Sequence, residues 1–205
     1  MRRVIVIAAT MLTVGANSVS AQQPPKIEPA VVDRYIQSTF KGAPPEWQAR
    51  ITPDEAQRVC SETRGLLSPE QDKKLSEAAQ ASIVYPADGN MIGDWKKGQQ
   101  LAQRGTGGQF SDRPDGPKGG NCYACHQLSK AELSFGTLGP SLLEYGKIRK
   151  FRPEEAKAAY AKIYNAQAVQ PCSNMPRFGH NKFLDEQEMK DLTAYLFDPN
   201  SPVNK

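Results

Sequence analysis

Two cysteines and a histidine form the most chemically specific group in the sequence, Cys122-Tyr-Ala-Cys125-His126. Thiols at positions i and i+3 lie about one helical turn apart, so they can add to the two vinyl groups of one porphyrin. The histidine that follows then lies under the iron as its proximal ligand. We therefore predict one covalently bound haem c, attached through the two cysteines and ligated by His126.

Three other kinds of site compete for this motif. A structural zinc site would need a second cysteine pair, whereas Cys60 and Cys172 stand alone in the sequence. A thioredoxin-like redox pair would need a βαβ context, which the sequence lacks. A disulfide across three residues would be strained and would have no use for the histidine. Covalent haem remains the favoured interpretation.

The sixth position of the iron has four candidate ligands, which are Met91, Met175, Met189 and His180. Met189 lies at helical spacing from Leu192 and Leu196, which is typical of core packing. Met91 precedes the first helix expected around the haem. Met175 is followed by Pro176, which disfavours the helical conformation and holds the methionine extended on a loop. We predict Met175 as the axial ligand, with His180 as the alternative.

A histidine and a methionine together would leave no open position on the iron, which favours electron transfer. An open or weakly held sixth position would instead suit oxygen or peroxide chemistry. Gly139-Pro140 lies fourteen residues after His126. The carbonyl of Pro140 would be a suitable acceptor for the outer N–H of that histidine, although Gly-Pro is also an ordinary turn.

The N-terminus predicts export. Arg2 and Arg3 precede an apolar run of about a dozen residues and small residues ending at Ala21, which is the pattern of a signal peptide covering residues 1–21. A run of this length is too short to span a bilayer. Without that segment, 24 basic side chains face 22 acidic ones, a balance too even to indicate nucleic-acid binding. We expect a periplasmic protein.

The two remaining cysteines, Cys60 and Cys172, are expected to pair as a disulfide in an oxidising compartment. The alternatives are two buried free thiols or a bond to another chain. In the chain-entropy description, a bridge closing so long a loop stabilises the fold by about 4 to 5 kcal/mol.

Helical signals recur along the chain and strand patterns are absent, so we predict an all-α fold. The start signals are the apolar positions from Val31 to Phe40, Thr52-Pro53-Asp54-Glu55 with Thr52 as N-cap, Ser68-Pro69-Glu70-Gln71, Asp94, Pro153 and Asp185. The expected organisation is a signal peptide at 1–21, an N-terminal helical extension at 22–90 and a haem domain at 91–205.

The second half of the chain resembles a class I cytochrome c in the order of its parts, over about residues 90 to 198. These parts are a first helix with Gly98, CYACH, the Gly-Pro turn, the Met-Pro loop and the final helix LDEQEMKDLTAYL. Longer segments resemble the SoxX family of monohaem cytochromes: GNCYACHQL, GTLGPSLLEYGK, AYAKIYNAQAVQPCSNMPRFG and LTAYLFDPNSPVN. The resemblance implies that the first and last helices cross with Gly98 against Tyr195.

The SoxX resemblance also implies partners and a role. Members of that family pair with a SoxA-type cytochrome subunit in the SoxAX complex, which joins thiosulfate oxidatively to a cysteine of a carrier protein. The haem subunit passes the electrons to a downstream acceptor cytochrome, and no catalytic residue carries over to this chain. The alternative is a free periplasmic carrier cytochrome. Basic residues that could steer an acidic redox partner are Lys118, Lys130, Lys147, Arg149 and Lys150.

Overall fold

A computed structural model describes residues 27–109, 112–113 and 115–205. The predicted signal peptide lies outside the described residues. Over the part that is described, the secondary structure is helical with no strand, which confirms the all-α prediction. The α-helices are α1 (Pro29–Thr39), α2 (Pro45–Ile51), α3 (Glu55–Thr63), α4 (Pro69–Ala81), α5 (Trp95–Gln103), α6 (Tyr145–Ile148), α7 (Pro153–Tyr164) and α8 (Glu186–Phe197).

Helix starts follow their capping residues closely. Ser68 caps α4 and Asp185 caps α8, each in a reciprocal capping box with the residue three positions on. The predicted start at Thr52 is wrong by two residues, because Asp54 is the N-cap of α3 and shares its capping box with Gln57. An aspartate carboxylate accepts a hydrogen bond from the first turn as well as a threonine hydroxyl does.

The chain divides into two compact units after Gln48. The boundary between residues 90 and 91 stays a prediction from the sequence. The first unit contains α1, whose residues are nearly all exposed, and the Gln48 amide donates to the carbonyl of Phe40 at 2.8 Å. Residues 49–90 belong to the second unit, where the side chain of Gln80 in α4 donates to the carbonyl of Ala168 at 3.0 Å.

Helices α5 and α8 form the centre of the second unit and cross at Gly98. A Cβ at Gly98 would overlap the carbonyl of Asp191 and lie 2.9 Å from the Cβ of Tyr195, which is the contact that the resemblance implied. Side chains of α8 are buried from Met189 to Phe197, and Met91 is buried in the same core. Within the described ranges, none of the helices is both long and apolar enough to cross a membrane.

Candidate haem site

The attachment motif forms a single 3₁₀ turn, Cys122–Ala124. The backbone N–H groups of Cys125 and His126 donate to the carbonyl of Cys122 at 3.1 and 2.9 Å. Both cysteines are free thiols and partly buried. The turn therefore presents two thiols on one short arc with the histidine directly after them, as attachment to a single porphyrin requires.

The environment of Cys122 does not suit a reactive thiolate. Burial raises the pKa of the Cys122 thiol to about 12. Redox-active Cys-x-x-Cys pairs depend on a lowered thiol pKa, since the thiolate is the nucleophile. The apolar surroundings that keep this sulfur protonated argue against thiol–disulfide exchange at Cys122.

The ring of His126 is fixed by the Gly-Pro turn. Its Nδ1 lies 2.7 Å from the carbonyl oxygen of Pro140. When Nδ1 donates this bond, the lone pair of Nε2 is left for the iron. The N–H of Gly139 donates to the carbonyl of Cys125 at 2.8 Å, and a Cβ at Gly139 would overlap the imidazole ring. The absence of a side chain at Gly139 thus allows the turn to lie flat against the ligand.

Two residues that the sequence reasoning missed hold the same segment. The Glu132 carboxylate accepts hydrogen bonds from the N–H groups of Leu128 and Ser129 at 2.8 and 3.2 Å, which closes the turn after His126. At Gly136, a Cβ would overlap the carbonyl of Ala124. Glycine is therefore required where the chain returns past the attachment turn.

The four candidates for the sixth ligand lie in different surroundings. Met91 and Met189 are core residues with 6% and 3% of their surface exposed. Met175 is only partly buried, on a loop, with its edge packed against the core. His180 lies largely at the surface, and its pKa is lowered first by partial burial of the ring and then by the charge of Arg177. Met175 remains the predicted ligand, because it places a partly buried thioether on a loop rather than inside the core.

A disulfide bond joins Cys60 in α3 to Cys172, three residues before Met175. The two Cα atoms are 5.3 Å apart, within the ordinary range for such a bond. Cys172 has a positive φ of 59°, so the chain turns sharply there before it reaches the methionine. The predicted pairing is present, and it connects α3 to the loop of the predicted iron ligand.

The residues around the motif fit a flat apolar cofactor. Several apolar side chains contact the core on one side and are left partly uncovered on the other. Those outside α5 are Cys122, Leu142, Tyr145, Tyr164, Met175 and Phe183. A porphyrin attached at the turn would cover apolar side chains of this kind and remove them from water.

The basic residues singled out from the sequence are largely engaged by other groups. Lys130 and Lys147 contact Glu144 at 3.5 and 3.0 Å, and the pKa of Glu144 is lowered, first by the hydrogen bond from Lys147. Arg149 lies 3.5 Å from Glu155. These side chains are therefore a weaker basis for an electrostatic steering surface than their number suggests.

Comparison with known proteins agrees with this site. The sequence profile of the Cytochrome c family matches residues 95–198, which include the attachment turn, the Met175 loop and α8. A protein of Aquifex aeolicus (strain VF5), described as an uncharacterized lipoprotein, is 38% identical over 160 residues, which cover 77% of this chain and 76% of that protein. The chain belongs to the cytochrome c family, and it is a haem-binding electron-transfer cytochrome.

Proposed function

We propose that the chain is the monohaem electron-transfer subunit of a periplasmic SoxAX-type complex, in which a SoxA-type cytochrome is its partner. The four segments that resemble the SoxX family support this role. Export is supported by the signal-like N-terminus and by the relative described as a lipoprotein, a class of exported proteins. The single Cys-x-x-Cys-His motif supports one haem.

The proposal rests mainly on one observation: residues 49–90 belong to the second unit, which also contains the haem-attachment motif. Helix α3 is joined to the Met175 loop by the Cys60–Cys172 disulfide, and α4 is hydrogen-bonded to the segment that follows α7. These helices add surface to the electron-transfer domain without adding any group for haem attachment. A subunit that docks permanently has a use for such surface, whereas a small diffusible carrier gains little from it.

In this role the protein would carry electrons and leave the sulfur chemistry to its partner. Joining thiosulfate to a cysteine thiol forms one S–S bond and releases one proton and two electrons. The bound haem supplies a one-electron couple, so the two electrons would leave in succession. The residues of this chain would hold that couple in place: Pro140 would orient His126, Met175 would be the second axial ligand, and the core would exclude water.

The proposal is tested by isolating the protein from its native periplasm under mild conditions. We expect a second c-type cytochrome to purify with it, and thiosulfate with a carrier protein to reduce its haem in that preparation. The matched control is the same preparation without thiosulfate. Recovery of a lone cytochrome that no mixture of periplasmic proteins reduces with thiosulfate would contradict the proposal and would favour a free carrier.

A further inference from the structure

An ion pair links α3 to the predicted iron-ligand loop. Nη1 of Arg177 lies 2.7 Å from Oδ2 of Asp54. The arginine side chain is 10% exposed and the aspartate side chain 41%. Arg177 follows Met175 by two residues, and Asp54 is the N-cap of α3, where its other oxygen accepts from the N–H of Gln57 at 2.9 Å.

Helix α3 is thus joined to the loop on both sides of the methionine. The disulfide reaches Cys172, three residues before it, and the ion pair reaches Arg177, two residues after it. The loop and the helix both line an open cleft of about 440 Å³. The cleft is lined by residues of both walls, including Gln57, Cys60 and Ser61 of the helix and 172–177 of the loop.

The loop lines this open cleft, so part of its surface faces solvent rather than α3. Its backbone bonds near the methionine are local, since the N–H of Met175 donates to the hydroxyl of Ser173 at 3.2 Å. The Cys60–Cys172 disulfide and the Asp54–Arg177 ion pair therefore contribute strongly to the position of the Met175 thioether. One link is covalent and permanent in an oxidising compartment, while the other can open and close.

We infer that Asp54 and Arg177 are positioning residues for Met175, and that their ion pair sets how readily the methionine leaves the iron. The inference rests on the proposed ligation by Met175. A charge-assisted hydrogen bond with a nearly buried guanidinium is stronger than an exposed ion pair. Loss of the aspartate charge leaves that guanidinium partly desolvated without its counter-charge, which favours a loop that moves out into water.

Binding of imidazole to the ferric holoprotein measures this opening, because imidazole can reach the iron only after the methionine has left. Asp54→Asn removes the charge and keeps an N-cap that is as good as aspartate. Glu55→Gln is the matched control, since it removes an equally short ion pair, 2.7 Å to Lys74, from the same helix without touching the loop. We expect imidazole to bind at least about tenfold faster in Asp54→Asn, a change equivalent to 1.36 kcal/mol, and at the wild-type rate in Glu55→Gln. Equal rates in the two variants would overturn the inference.

A second measurement separates a positioning role from a general effect on the fold. Hydrogen exchange of the Met175 amide should be faster in Asp54→Asn and Arg177→Gln than in Glu55→Gln, while the amides of α8 stay protected in all three. Equally accelerated hydrogen exchange in the loop and in α8 would show that the Asp54–Arg177 ion pair only stabilises the fold, and it would overturn the inference. If wild-type protein lacks the methionine–iron charge-transfer band, the ligand assignment fails instead, and the inference that Asp54 and Arg177 position Met175 on the iron fails with it.

Discussion

The substitution Gly139→Ala tests how the Gly-Pro turn holds the proximal histidine. The turn passes so close to the ring of His126 that an added Cβ would overlap it, while the N–H of Gly139 and the carbonyl of Pro140 both bond to the attachment segment. The extra methyl must therefore push the turn and the imidazole apart. The thioethers at Cys122 and Cys125 should keep the haem on the protein, so the effect falls on iron ligation.

Two contributions determine how much stability Gly139→Ala is expected to lose. Forcing a methyl group into a packed site costs about 1 to 3 kcal/mol. Loss of the hydrogen bond between His126 and Pro140 adds about 0.5 to 1.5 kcal/mol. Outer partners of metal-ligating histidines typically account for roughly 10- to 100-fold in metal affinity or activity. We expect Gly139→Ala to destabilise the ferric protein by about 1.5 to 4.5 kcal/mol.

The assay combines denaturant unfolding, the visible spectrum of the ferric haem and the reduction potential. Gly108→Ala is the matched control, because a Cβ there would meet only the ring of Phe183 at an ordinary 3.8 Å. We expect Gly139→Ala to lower the unfolding midpoint and to change the haem spectrum, with Gly108→Ala close to wild type. The reasoning is refuted if the two variants have the same stability, spectrum and potential.

Three further outcomes are expected. Gly98→Ala should destabilise the protein by about 2 kcal/mol or more in urea unfolding, because the added methyl meets the backbone carbonyl of Asp191, which cannot rotate away; a wild-type midpoint would contradict the close crossing of α5 and α8. Replacing both disulfide cysteines with serine should weaken the methionine–iron band on heating before helicity is lost by circular dichroism, and simultaneous loss of the two signals would count against a tethered loop. Burial raises the pKa of Asp54, but the Gln57 amide and the Arg177 guanidinium outweigh that effect and lower it overall. The ionised Asp54 therefore stabilises the folded protein above the ordinary pKa of 3.8, and this stabilisation is lost as the pH falls through the lower folded pKa. Asp54→Asn should reduce the pH dependence of the free energy of unfolding in acid, and an unchanged pH profile would be evidence against the ion pair.

Local signals in the sequence predicted most of the helices. Capping residues such as Ser68 and Asp185 act within one turn, so their effect is readable without knowing the fold. The start of α3 was misplaced because Thr52 and Asp54 both carry capping side chains, and only the geometry of the turn decides between them. The short helix α2 was missed because Pro45–Ile51 is too short to show a clear period.

Long-range contacts around the site were harder to anticipate. The role of Gly136 depends on where the chain returns past Ala124, and the partner of Arg177 lies more than a hundred residues away at Asp54. Neither has a signature in the local sequence. The position of Pro140 beside His126 could be expected because a Gly-Pro turn follows the attachment motif in class I cytochromes c. The spacing of fourteen residues alone did not require that contact.

The most direct test of the account is the identity of the sixth iron ligand. The ferric wild-type protein should show a methionine–iron charge-transfer band, and Met175→Ala should abolish it and lower the reduction potential, since His/Met ligation raises the potential. Met189→Leu is the matched control, because that side chain is buried in the core and should leave the band in place. A Met175→Ala protein that keeps the wild-type band and potential would contradict the assignment of Met175 and, with it, the description of this protein as a cytochrome with a closed His/Met haem.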